Sequence, residues 1–118
     1  MGKYYVIAKV SDELLQRMQK DPKADRFAST KKACEAAGIK LISYEWLRGR
    51  FDILACAEGD YESILGMKVA FLNSGLIKDM MVHEVFDYNK AFGKAADAAK
   101  GVVKPANYCL HMLYFKLI

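Results

Sequence analysis

The stretch Tyr44-Glu45-Trp46-Leu47-Arg48-Gly49-Arg50-Phe51-Asp52-Ile53-Leu54-Ala55-Cys56 constrains the fold more than any other part of the chain. Apolar and aromatic residues alternate on both sides of Arg48-Gly49-Arg50, the pattern of two β-strands joined by a tight turn. Gly49 supplies the positive φ that a short hairpin often requires. A helical segment precedes this hairpin and another follows it, and each is flanked on its outer side by a further strand. The order is therefore β-α-β-β-α-β, the split βαβ or ferredoxin-like arrangement.

The remaining elements follow from local signals. Lys3 to Val10 reads as the first strand, with Tyr4, Val6, Ala8 and Val10 on one face and Tyr5 and Ile7 on the other beside Lys3 and Lys9. Ser11 is suited to cap a helix whose first turn holds Asp12 and Glu13, where the helix dipole favours acids. Pro22 breaks that helix from a second piece carrying Phe27, Cys34 and Ala37, and Gly38 ends it. The second strand is predicted over Ile39 to Leu47, with Ile42, Tyr44 and Trp46 on one face and Leu41 and Ser43 on the other. Phe51 to Glu58 forms the third. Asp60 caps a helix holding Ile64, Met67 and Phe71, Gly75 ends it, and Ile77 to Phe86 makes the fourth strand. The fold class is α+β: a ferredoxin-like domain over residues 1–90 with an antiparallel four-stranded sheet. Residues 91–118 hold the rest of an extra helix, expected over Asp87 to Val103, and an apolar tail that packs on the same domain or on a partner subunit.

Composition adds an assembly to this fold. The chain has 118 residues, enough for one domain, and 53% of them are hydrophobic. A sheet covered on one side by helices should be polar on the other. Here both faces of several strands carry large apolar groups, so a second copy of the sheet is expected to cover the open face in a two-fold homodimer. The net charge of +4 is mild and the lysines are dispersed, so no nucleic-acid-binding stripe is evident. RNA-recognition domains share the same element order, but Arg48-Gly49-Arg50-Phe51-Asp52-Ile53 copies only the start of their aromatic third-strand motif. Cys34, Cys56 and Cys109 are odd in number and widely spaced, which favours a reducing compartment. The first residues enter a strand pattern directly and no apolar run is long enough to span a bilayer. A cytoplasmic protein with no membrane partner is expected.

Trp46-Leu47-Arg48-Gly49-Arg50-Phe51-Asp52 resembles the signature of the GYD-domain proteins, a turn glycine followed by an aromatic and an aspartate at the start of the third strand. Phe51 stands where that family's tyrosine would be, and Arg50 lies between the glycine and the aromatic. The resemblance covers residues 3 to 90. It implies a dimeric α/β barrel, in which two ferredoxin-like sheets face each other with helices outside. That group includes cofactorless monooxygenases, isomerases and haem proteins, so the resemblance names no reaction.

Candidate site residues are few. Asp52 is placed either to act as a base at a pocket mouth or to hold the turn by accepting hydrogen bonds from backbone groups, Arg48 or Arg50. His83, mid-strand between Val82 and Glu84, is a candidate general base or a buried structural histidine. His83, His111 and Glu84 have no spacing that demands a metal, and no cofactor is expected. Each cysteine sits in apolar sequence, as inert buried thiols do. Tyr5, Tyr44, Trp46, Met67, Phe71 and Met81 are the expected lining of an apolar ligand cavity between sheet and helices. Three functions stay open: a homodimeric binder of an apolar, lipid-like or aromatic small molecule; a cofactorless monooxygenase- or isomerase-like enzyme in which His83 or Asp52 moves a proton; and a regulatory or structural interaction domain.

Overall fold

The computed structural model describes residues 1–102. Their elements run β1 (Gly2–Val10), α1 (Asp12–Lys20), α2 (Arg26–Ala36), β2 (Lys40–Trp46), β3 (Ile53–Gly59), α3 (Tyr61–Asn73), β4 (Ile77–Glu84) and α4 (Tyr88–Ala99). Met1–Val85 form one compact unit, and α4 belongs to a second. The apolar tail beyond residue 102, with His111 and Cys109, lies outside the described residues.

Each helix starts where a short polar side chain can satisfy its free N–H groups. The Ser11 hydroxyl accepts from the Leu14 N–H at 3.3 Å. Asp25 accepts from Ala28 at 2.9 Å, Asp60 from Ser63 at 2.7 Å and Asp87 from Lys90 at 3.0 Å. These four caps decide the register at which the helices begin. The bond from Ser63 also holds the pKa of the exposed Asp60 carboxyl below its ordinary value, as expected when the charged form is the acceptor. Past the ends of α2 and α3, Gly38 and Gly75 take φ values of 75° and 77°.

The four strands form one antiparallel sheet in the order β2-β3-β1-β4. This is an α+β architecture compatible with the ferredoxin-like arrangement. β1 lies between β3 and β4, where it is protected on both edges. Its even-numbered residues face the helices: Tyr4, Ala8 and Val10 are buried there. Ile53, Ala55 and Ala57 of β3 and Ile77 and Met80 of β4 join them. Leu14 of α1, Cys34 of α2 and Ile64 of α3 complete the core from above.

Three local expectations are corrected. The connection between β2 and β3 is a loop over residues 47–52, not a tight turn. It closes through the Leu47 N–H donating to the Asp52 carbonyl at 2.8 Å, and Gly49 takes φ 153° within it. β2 does not alternate regularly. Leu41 pairs with Ala57 and Ser43 with Cys56, so Ile42 is an extra residue in a bulge. The bulge turns Ile42 outward, where it is 42% exposed, and brings Leu41 onto the same face as Tyr44 and Trp46. Finally, β2 ends at Trp46, β3 begins at Ile53 and β4 ends at Glu84, and the last helix stops at Ala99 with Asp87 as its cap. No helix among the described residues is long and apolar enough to cross a membrane.

Candidate functional site

Small residues create the candidate site. The helix-facing floor of the sheet carries Ala8 on β1 and Ala55 and Ala57 on β3, side chains that rise little above the backbone. Above them α2 contributes Ser29, Thr30, Ala33 and Cys34, and no large apolar residue of α2 reaches inward at those positions. Small groups on both layers leave a cavity of about 210 Å³ between the sheet and helices α2 and α3. Met67 and Phe71 of α3 bound it on one side, and Tyr44 and Trp46 of β2 on another.

The aromatic wall is ordered by edge contacts. Phe27 meets Tyr44 with ring centroids 6.2 Å apart, and Tyr44 meets Trp46 at 6.1 Å and 80°. Burial raises the Tyr44 hydroxyl above its ordinary 10.0, with hydrogen bonding to Thr30 and Trp46 and the charge of Arg26 pulling the other way. Tyr44 therefore stands as a neutral phenol at the cavity. Burial, helped by Glu35, also raises the Cys34 thiol above 9.0, so it is a neutral, unreactive group. Among the described residues, the charged ones on the wall are the half-buried Arg26 and Lys68. No aspartate, glutamate or histidine among the described residues lines it.

Four of the sequence-predicted lining residues, Tyr44, Trp46, Met67 and Phe71, are thus brought together. Tyr5 and Met81 are not. Tyr5 pairs with Cys56 and His83, and Ile7 with Leu54 and Met81, all on the sheet face away from the cavity. The alternation of a strand explains this: Tyr4 and Met80 face the helices, so their neighbours in sequence face away. His83 shares that outer face and is exposed, neither a cavity base nor a buried structural group.

Asp52 also lies off the cavity wall, and its role is legible in its bonds. Its carboxylate Oδ2 accepts from the Val10 N–H at 2.9 Å and lies 3.9 Å from the Lys9 ammonium. Its own N–H donates to the Ala8 carbonyl at 2.9 Å. Asp52 thus clasps the β2–β3 loop to the end of β1, where β1 is irregular between Lys9 and Val10. Of the expected donors a backbone N–H is the one found, that of Val10, rather than Arg48 or Arg50. No group of three or more histidine, cysteine, aspartate or glutamate side chains among the described residues could share a metal ion.

Sequence reading missed the alanines and Arg26. The run Ala55-Cys56-Ala57 in a strand otherwise flanked by large apolar residues was the available signal, as was an α2 poor in Leu, Ile and Val. Comparison of the chain with known protein families, with curated proteins and with solved structures found no match.

Proposed function

We propose that this chain is a homodimeric, cytoplasmic protein that binds a small apolar or aromatic molecule between its sheet and helices. The cavity carries the reading: about 210 Å³, walled mostly by aliphatic and aromatic side chains with a few polar groups. That is the usual composition of a small-ligand site, in a volume below the roughly 300–1,000 Å³ of drug-sized pockets, so the ligand is small. The competing monooxygenase- or isomerase-like reading needs a group at the cavity to move a proton. His83 and Asp52 lie elsewhere, and the one phenol present, Tyr44, holds its proton more tightly than usual. Binding is therefore favoured over catalysis.

The dimer is supported by the outer face of the sheet. Leu54, Ile7 and Met81 lie side by side across β3, β1 and β4, each half-buried, and Tyr5 beside them is 40% exposed. A second copy would remove this surface from water at about 25 cal/mol per Å². The resemblance of residues 46–52 to the GYD signature points to the same assembly. Free Cys34 and Cys56 fit a reducing compartment.

Native mass spectrometry of protein purified without denaturant tests the binding reading. A small organic adduct that is absent after refolding supports it. Ligand-free protein that also fails to bind any apolar probe at the cavity refutes it.

A further inference from the structure

The cavity wall is mostly apolar, and the chemistry of its few polar groups selects among apolar ligands. Arg26 is the first residue of α2, one turn from Thr30 on the same helix face. Both line the cavity beside Tyr44, and the Arg26 charge reaches the Tyr44 hydroxyl. A half-buried guanidinium, a neutral phenol and a threonine hydroxyl thus converge at one edge of an apolar hollow. The ion pairs among the described residues are Lys9–Asp52, Arg17–Glu13 and Lys100–Asp97, so none of them uses Arg26. Lys68 enters from α3 and adds a second positive charge, although it also borders a neighbouring hollow that contains Glu84. With no acid among the described residues of the wall, the field from Arg26 and Lys68 favours an anion. A planar, five-donor guanidinium matches a carboxylate bidentately, and a carboxylate is the compact anion that a small apolar body carries.

We propose that the ligand is a small apolar carboxylate: its body fills the cavity and its carboxylate meets Arg26, with the Tyr44 and Thr30 hydroxyls as further donors. This rests on the reading of the cavity as a binding site and adds the chemistry of the head group. Volume limits the body. A cavity of about 150 Å³ holds one benzene ring, so this one takes roughly eight carbon atoms, a substituted ring or a short chain.

The pair 4-ethylbenzoate and 4-ethylbenzamide tests the head group, because the two share size and shape and differ in charge. Titration of the full chain, followed by amide chemical shifts, should give a benzoate affinity about tenfold or more above that of the benzamide, since charge-assisted bonds are roughly twice as strong as neutral ones. Arg26→Gln should abolish that preference, lowering benzoate affinity about tenfold or more toward that of the benzamide. Tyr44→Phe, which keeps the ring, should lower benzoate affinity several-fold. Equal binding of the two compounds to the unaltered protein overturns the carboxylate while leaving the cavity reading intact. A preference that survives Arg26→Gln overturns the assignment of the anchor. Shifts from neither compound at cavity residues overturn the binding reading itself, and this proposal with it.

Discussion

Filling the cavity from its floor should stabilise the ligand-free protein. Ala55 lies between Val6 of β1 and Tyr44 of β2 in the sheet register, is 8% exposed and faces the cavity. Ala55→Ile adds three carbons and a branch at Cβ that suits a strand. At about 0.8 kcal/mol per buried carbon, the gain in burial is about 2.4 kcal/mol. Lost rotamer freedom takes back about 0.5–1 kcal/mol, leaving roughly 1.5 kcal/mol in favour of the variant. For a domain of this size that corresponds to a rise in melting temperature of about 6–12 °C. In a close-packed core the same substitution has the opposite sign, costing about 1–3 kcal/mol through strain. The assay is calorimetric melting of both proteins after refolding from denaturant, so that no carried ligand remains, at one fixed protein concentration because the melting point of the proposed dimer would depend on it. The variant should also lose binding of 4-ethylbenzoate. A melting temperature that falls would refute the reasoning, since it would mean that the space above Ala55 is already filled.

Three further outcomes are expected. Asp52→Ala should cost about 1–2 kcal/mol in urea unfolding, because the Val10 N–H loses its charged acceptor, whereas His83→Ala should change stability by less than about 0.5 kcal/mol. Neither should alter ligand affinity; a loss of binding in His83→Ala would argue for a site on the outer face. Burial raises the Cys34 thiol above 9.0 and the Tyr44 hydroxyl above 10.0, so the folded state holds both protons more tightly than the unfolded chain does. The associated stability is fully present below those ordinary values and is lost as pH rises through the higher folded-state values, so urea midpoints should fall through the alkaline range, and less steeply in a Cys34→Ala, Tyr44→Phe double variant. Ile7→Lys places a charge among Leu54 and Met81 on the outer sheet face, and sedimentation should show it converting dimer to monomer while far-ultraviolet circular dichroism stays unchanged.

Most of the architecture was legible because it depends on patterns with a short range. The even–odd alternation in β1 assigned Tyr4, Val6, Ala8 and Val10 to one face, and the register agrees. Ser11, Asp60, Gly38 and Gly75 marked helix ends because capping and positive φ are properties of single residues. What failed was what depends on a neighbouring strand. Ile42 was grouped with Tyr44 and Trp46, and only the pairing of Leu41 with Ala57 and Ser43 with Cys56 reveals the bulge between them. Asp52 is legible as an acceptor for a backbone N–H, but the donor, Val10, is distant in sequence and brought close only by the pairing of β1 with β3.

The site was half legible for a related reason. Large side chains announce themselves in a sequence, so Tyr44, Trp46, Met67 and Phe71 were found. Tyr5 and Met81 were included by the same rule, which counts bulk and ignores the face on which the bulk falls. A cavity is defined by what is missing, and Ala8, Ala55 and Ala57 contribute by ending early. Alanine in a strand is a poor choice for propensity and forgoes burial that valine or isoleucine would provide. Three such residues on the helix-facing side of two adjacent central strands, under a helix whose inner positions are Ser29, Ala33 and Cys34, leave stability unused at one place in the fold. A bound molecule would recover that burial without any change in the chain. A stable protein can tolerate such a hollow if its other elements hold the frame, and here the capped helices α1, α2 and α3, the clasp at Asp52 and the doubly paired β1 do so. This separation of frame from hollow is why filling the hollow with carbon should raise stability and remove binding together.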